Sequence, residues 1–301
     1  MSAVTRAAAG APRPEPVERP EFVRTPLDAN KIGQIERPLS AVERLWNLQM
    51  VRNLAVLLMF VVLWEAYTQI AKVPPLLFPS FSDTCIAIVK AFSDHGMLSK
   101  IGFTLQSLLT GYAVGLAAAA VLVSLASIWR VWADILMTAT AMFNPLPSIA
   151  LLPLAMLWFG LGTASLVFIL VHAVLWAVAL NTFVGFQGVS QTQRMVGQNY
   201  GLKGVVFALQ ILIPAALATV LSGMKIGWAF AWRTLIGAEL IFGATSGGGG
   251  LGWHIFENGE QLKTPQVFAG LFIVILIGVV VEYVIFRTIE LRTVRRWGMQ
   301  H

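Results

Sequence analysis

The sequence predicts an all-α integral membrane protein with six membrane-crossing helices. Three observations lead there. The chain is 57% hydrophobic and only 12% charged, against about 25% charged in ordinary soluble domains. Residues 135–193 contain no Asp, Glu, Lys or Arg, which is room for two crossings of about 20 residues each. Basic residues gather between alternate apolar blocks, the bias that orients helices in a bilayer. The net charge of +6 is therefore assigned to membrane orientation, and no nucleic-acid partner is expected.

Residues 1–50 are expected to form a disordered tail. Pro12, Pro14, Pro16, Pro20, Pro26 and Pro38 interleave there with Arg and Glu, without the aliphatic clusters needed to offset ordering entropy. No short apolar core precedes a small-residue cleavage site, so no cleavable signal is expected. A solvated extension and a partner-binding arm are both open readings.

The first crossing is placed at residues 54–71, broken only by Glu65. Val73-Pro74-Pro75 ends it, and Pro79-Ser80 with Asp83 reads as the cap of a short helix running to about Phe92. Lys100 and Arg130 bracket the second crossing, residues 101–129. Within it Gly111 and Gly115 form a small-residue face, for tight helix packing or for a dimer seam. Gly160-Leu161-Gly162 divides the charge-free block into crossings at 135–158 and 164–186. Asn144-Pro145-Leu146-Pro147 interrupts the former, because proline removes backbone donors and kinks a helix. Such loosened backbone either lines a watery path or is a structural kink alone. After a polar segment at 189–214, Pro214 starts the fifth crossing at 215–242. The sixth is placed at 267–286, behind a glycine run from Ser246 to Gly252.

Six crossings put both termini on one side. The tail, Arg130, Arg194, Lys203, Arg287, Arg292, Arg295 and Arg296 share that side. The other holds only Lys72, Lys90, Lys100 and Lys263, balanced by Asp83, Asp94, Glu257 and Glu260. The positive-inside rule makes the first side cytoplasmic.

Polar side chains within the crossings call for a reason, since a charge at mid-bilayer costs about 2.5–3.5 kcal/mol on insertion scales. Glu239 is expected near an outer gate or in helix packing, and Glu65 at a protein interface. Arg233 precedes Glu239 by six residues, about 120° around a helix, so the two are not expected to pair. Arg233 either attracts an anion, or is held by another helix or snorkels outward. Lys225 is expected to snorkel toward the cytoplasm. His172 is read as a packed, hydrogen-bonded residue or as part of a path. Asn144, Pro145, Pro147, His172, Trp232, Arg233 and Glu239 are the candidates for a translocation path or gate.

The chemistry the chain lacks narrows its function. A single cysteine, Cys85, rules out an internal disulfide. His95, His254 and His301 have no spacing that builds a metal site. No Gly-x4-Gly-Lys-Ser/Thr phosphate loop occurs, so the chain is not expected to hydrolyse ATP. No catalytic, metal-binding or cofactor-binding residue is assigned.

The polar segment is the most informative stretch. Met195, Gln198 or Asn199, and Leu202 are expected to share one face of a short helix, with Gln191, Arg194 and Lys203 as polar edges. A peg against another subunit and an amphipathic linker on the lipid surface both fit that pattern. The spacing Gly201-x9-Ile211-x-Ile213-Pro214 resembles the cytoplasmic coupling motif of ABC-importer permeases, Glu-Ala-Ala-x3-Gly-x9-Ile-x-Leu-Pro. Here Met195, Val196 and Gly197 stand at the Glu-Ala-Ala positions, and Ile213 replaces Leu. Residues 54–296 are similar in order and spacing to the nitrate/sulfonate/taurine branch of those permeases. The shared fragments include Leu63-Trp64-Glu65, Pro145-x-Pro147, Leu157-Trp158-Phe159-Gly160, Ser222-Gly223-Met224-Lys225, Ala238-Glu239 and Gly250-Leu251-Gly252.

That resemblance implies the type I importer (MetI-like) core of five helices with an additional N-terminal helix. It further implies a homodimer of permeases in the bacterial inner membrane, two cytoplasmic ATPase subunits that bind ATP and Mg, and a periplasmic substrate-binding protein. The expected ATPase contacts are Arg194, Met195, Val196, Gly197, Tyr200, Gly201, Leu202, Lys203, Ile211 and Pro214. The solute class implied is a small anion: nitrate, a sulfonate, taurine or an organic carboxylate. An ion-gradient-driven transporter is the alternative, although no repeated halves or mid-membrane acidic pair speak for it. An intramembrane enzyme would need a nucleophile–base pair that the chain does not offer.

Overall fold

The computed structural model describes residues 41–93, 96–242 and 249–294, and among these every regular element is helical. The chain divides at Leu58 into two units. In the N-terminal unit, α1 (Ala41–Asn47) is followed by the start of α2 (Gln49–Ile70). Arg52 joins them by donating to the carbonyls of Trp46 and Asn47, each at 3.1 Å. The tail boundary expected at residue 50 therefore falls inside α2, and residues 1–40 lie outside the described residues.

In the second unit α2 continues to Ile70 and is followed by α3 (Phe81–Ser93), α4 (Gly96–Ile128) and α5 (Arg130–Phe143). A 3-10 turn (Ser148–Leu151) then leads to α6 (Leu152–Phe159) and α7 (Thr163–Gln187). The next elements are α8 (Gln191–Asn199), α9 (Gly204–Phe207), a π turn (Ala208–Leu212), α10 (Ile213–Ala215) and α11 (Leu217–Phe242). Last come α12 (Leu251–Glu260), α13 (Thr264–Val280), a second π turn (Val281–Phe286) and α14 (Arg287–Arg292). Among the described residues four helices are long and apolar enough to cross a membrane, and two sharply bent pairs bring the number to six if each pair is one span.

The core is the contact of α4, α7 and α11, made possible by glycine. A Cβ on Gly115 would lie 2.7 Å from Val174, and one on Gly227 would lie 3.0 Å from Val178. Gly111 meets Leu170, Gly185 meets Thr219 and Gly223 meets Asn181 in the same way. Small residues let backbones approach until dispersion contacts and weak hydrogen bonds hold them, the usual solution where lipid supplies no hydrophobic drive. Gly111 and Gly115 thus face α7 of the same chain, which gives tight packing as their role. Leu108, Ile169, Leu170, Val174 and Leu235 are fully enclosed between these helices.

The periphery is fastened by caps. Ser80 and Asp83 form a reciprocal box: the Asp83 amide donates to Ser80 Oγ at 3.0 Å, and Ser80 Oγ donates to Asp83 Oδ2 at 2.7 Å. Glu65 adds a carboxylate at the same helix start by accepting from the Ser82 amide at 3.2 Å and from the Ser82 hydroxyl, a favourable charge against the α3 dipole. Glu65 is therefore a cap between α2 and α3. Trp64 donates to Pro79 O at 2.9 Å and stacks on Phe272 of α13. Ser80→Ala removes one such cap and should cost about 1 kcal/mol. It should read out as a lower apparent melting temperature of the detergent-solubilised chain.

The two crossings that carry prolines bend sharply. The third crossing is interrupted at residues 144–147 as expected, and its first helix begins at Arg130, ahead of residue 135. The segments Arg130–Phe143 and Ser148–Phe159 meet at 91°, because Pro145 and Pro147 remove two backbone donors and leave no ladder to continue. The fifth crossing is likewise bent, by 84° between Gly204–Ala215 and Leu217–Phe242. Pro214 sits at the start of α10 and not of the long helix. Ile213 N–H reaches back to Ala208 O, so the ladder widens to a π turn just ahead of the proline. Lys225 reaches toward the segment that carries Arg287 and Arg292, on the side expected to be cytoplasmic. It pairs with Glu290 at 2.7 Å and faces Glu282 at 3.9 Å, joining α11 to the last helical segment.

Candidate functional site

The first candidate site is the polar segment. Ser190 caps α8: its hydroxyl accepts from the Gln193 amide at 3.3 Å and donates to Gln193 Oε1 at 3.1 Å. The helix ends in a Schellman motif, with Leu202 N–H on Gly197 O at 3.0 Å and Gly201 N–H on Gln198 O at 2.9 Å. This motif puts the C′ residue in the left-handed region, and Gly201 has φ +72°. The expected turn at Gly201 is thus a helix stop.

The inward side of α8 differs from the expected one. Gly197 is the buried residue, and a Cβ there would lie 2.7 Å from Phe207 and 2.8 Å from Ile211. Arg194 is not a solvated edge: Nε donates to Val189 O at 3.2 Å and Nη2 donates to Phe186 O. The guanidinium therefore caps the carbonyl end of α7, where a cation also complements the helix dipole. Met195, Val196 and Tyr200 face outward, Tyr200 being 81% exposed. Lys203 is exposed, Leu202 is half-buried, and Pro214 lies in α10 behind Ile211. The apolar-face rule missed the inward side because glycine scores as neither polar nor greasy.

The second candidate is a cleft of about 310 Å³ where the third crossing breaks. It gathers five of the seven expected path residues: Asn144, Pro145, Pro147, His172 and Arg233. Ser148 Oγ lies 3.0 Å from His172 Nδ1. Trp176, one turn along α7 from His172, stacks on Phe143 with ring centroids 5.2 Å apart. Arg233 is exposed; its Nε donates to Ala229 O at 3.0 Å and its guanidinium lies over the Phe230 ring. Sequence reasoning passed over Ser148 and Trp176. The four-residue step from His172 to Trp176 was the available signal for the latter.

Trp232 and Glu239 lie elsewhere. Trp232 is buried, with its indole nitrogen toward Gly278 of α13. Glu239 is 2% exposed. Its carboxylate accepts from Thr104 Oγ1 at 2.9 Å and from the Gly252 amide at 2.8 Å. Thr104 Oγ1 in turn accepts from the Leu251 amide at 2.9 Å, so α4, α11 and the start of α12 share one buried network. As expected, Glu239 and Arg233 do not pair. Gly250 and Gly252 are the glycines this arrangement requires, since a Cβ on either would collide with Glu239. The rest of the glycine run, 246–248, lies outside the described residues. On α12, His254 takes a hydrogen bond from Asn258 at 3.2 Å. Burial, and then the nearby Lys100 ammonium, hold its imidazole below the ordinary value, while Glu257 opposes the shift. His95 and His301 lie outside the described residues.

Residues 111–289 match the family model described as the binding-protein-dependent transport system inner membrane component. The chain is 33% identical over 141 residues to the taurine transport system permease protein of Escherichia coli (strain K12), covering 47% of this chain and 50% of that protein. It is 28% identical over 200 residues to the nitrate import permease protein of Synechocystis sp., covering 65% and 71%. A protein of E. coli named for aliphatic sulfonates transport is 28% identical over 148 residues, covering 49% and 55%. The chain thus spans about half the length of the taurine and sulfonate proteins it matches.

Proposed function

The chain belongs to the family of inner membrane components of binding-protein-dependent transport systems, and from that premise we propose that it is the permease subunit of an ATP-driven importer for a small anion. Taurine, a sulfonate, nitrate or an organic carboxylate is the solute class, in keeping with the names of the relatives. Two permeases, two ATPase subunits carrying ATP and Mg, and a periplasmic receptor make up the assembly. Both termini and α8 face the cytoplasm of a bacterial inner membrane, as the distribution of Lys and Arg favours.

The observation that carries this reading is the mounting of α8. Arg194 fastens it to the carbonyl end of α7 and Gly197 seats it on Phe207 and Ile211, while Met195, Val196 and Tyr200 stay exposed. A segment anchored on one side and bare on the other can receive a push from an ATPase subunit and pass it to α7 and α11. Closure of the two ATPases draws the pair of α8 segments together and turns the crossings outward-open. Hydrolysis then returns them to inward-open.

Reconstitution of the chain in proteoliposomes with its ATPase subunits and receptor tests the reading. Uptake of labelled taurine or nitrate should require internal ATP and survive an uncoupler. Uptake that persists without ATP but collapses with the uncoupler would establish an ion-gradient transporter instead.

A further inference from the structure

The cleft at the break of the third crossing is lined by hydrogen-bond donors with no counter-charge. Arg233 supplies a guanidinium whose Nη groups make no hydrogen bond, and which meets no carboxylate, among the described residues. Two ring nitrogens on residues lining the cleft, Trp176 Nε1 and His172 Nε2, are buried without a partner. Indole nitrogen can only donate. His172 Nδ1 lies against the Ser148 hydroxyl; with that hydroxyl donating, the ring proton sits on Nε2, which then donates as well. The Asn144 amide adds further donors at the rim, and no Asp or Glu lines the cleft.

Leaving buried donors unsatisfied is costly, and a guanidinium presents a planar fork of donors that matches the oxygens of an anion. A cation gains nothing in such a place. A planar or tetrahedral oxyanion suits the Arg233 guanidinium, and a small ring turn at Trp176 or His172 would bring a now enclosed donor nitrogen to it. Offset from the charged rim, the stacked Phe143 and Trp176 rings offer an apolar wall for a short carbon chain.

We propose that this cleft is a binding site for a small sulfonate- or carboxylate-type anion on the permease itself, with Arg233 as the charge that selects it and Trp176 and His172 as the donors that orient it. The proposal rests on the import reading for the direction of traffic. Selectivity is then exerted within the membrane subunit in addition to any receptor.

The test uses the full-length chain in liposomes without ATPase subunits, so its result is separate from ATP-driven uptake. In a Cys85→Ala background, Thr234→Cys and Ile149→Cys each place a thiol in the cleft lining. Each is labelled with 2-sulfonatoethyl methanethiosulfonate, an anion, and with its trimethylammonium counterpart, a cation. The anion-to-cation rate ratio at both thiols should fall about tenfold or more when Arg233→Gln is added, as one charge a few ångströms away dictates. Ethanesulfonate should slow labelling while Arg233 is present and not once Arg233→Gln is introduced. A Tyr200→Cys thiol, remote from the cleft, should show neither effect. A smaller fall at both positions, absence of ethanesulfonate protection, or thiols that do not react at all would overturn the site. Loss of ATP-driven uptake with the ratios as expected would instead overturn the import reading alone.

Discussion

A Glu239→Ala chain should lose about 3 kcal/mol of stability, because truncation leaves more than one buried polar partner unmet. The Thr104 hydroxyl and the Gly252 amide both donate to this carboxylate, and neither has water to turn to at a residue 2% exposed. Measured as thermal inactivation of the solubilised chain, the loss should exceed that of Ser80→Ala severalfold. Glu239→Gln should fall between, since one amide oxygen still accepts while the amide nitrogen faces groups that already donate. Thr104→Val combined with Glu239→Ala should cost less than the sum of the two, as expected for side chains in a single network. Additive losses would show that the carboxylate and hydroxyl act independently. Gly252→Val attacks the same place by steric means: its side chain would meet Ile236 O as well as Glu239 Cβ.

Gly197→Leu should reduce ATP-driven uptake about tenfold or more, since overpacking at a tight contact costs about 1–3 kcal/mol. Phe207 and Ile211 leave no space for even a methyl group there, so α8 must lift or rotate away from the π turn. The surface it shows the ATPase changes accordingly. ATP hydrolysis by the assembled complex, followed together with uptake in proteoliposomes, separates two outcomes. Hydrolysis without uptake means the push arrives and is not passed on, whereas loss of both means the subunits no longer engage. Gly201→Ala is the informative comparison. A Cβ at Gly201 meets nothing within 4 Å, so only the left-handed backbone is penalised, by about 1–2 kcal/mol. Uptake by Gly197→Leu equal to that of the unaltered chain would remove α8 from the coupling path.

What the sequence disclosed and what it concealed follow from the range of the interactions. Crossing lengths are local quantities, and most of 101–129 and all of 164–186 fall within α4 and α7. The Ser80–Asp83 cap joins residues three apart and was equally visible. Lys225 with Glu290, Glu65 with Ser82, and Glu239 with Thr104 are separated by 65, 17 and 135 residues, and no periodicity names such partners. The break at residues 144–147 was evident from its two prolines, but the angle there was not, because it is set by how α6 packs on α7. Five of the candidate path residues stand out singly, each on its own chemical grounds. That they line one cleft depends on the same bend, and so lay beyond a linear reading.

Helices α4, α7 and α11 touch through glycine at Gly111, Gly115, Gly185, Gly223 and Gly227. Where a glycine on one helix seats the first carbons of a side chain on the next, that side chain is held fast and one rod cannot slide over the other. These three segments therefore form a stiff chassis. Freedom to swing is left to the elbows, at residues 144–147 and at Ala216, and both elbows adjoin the surfaces on which a passenger or a motor would act. Under the import reading proposed above, alternation between two openings becomes a matter of arms turning on a fixed frame.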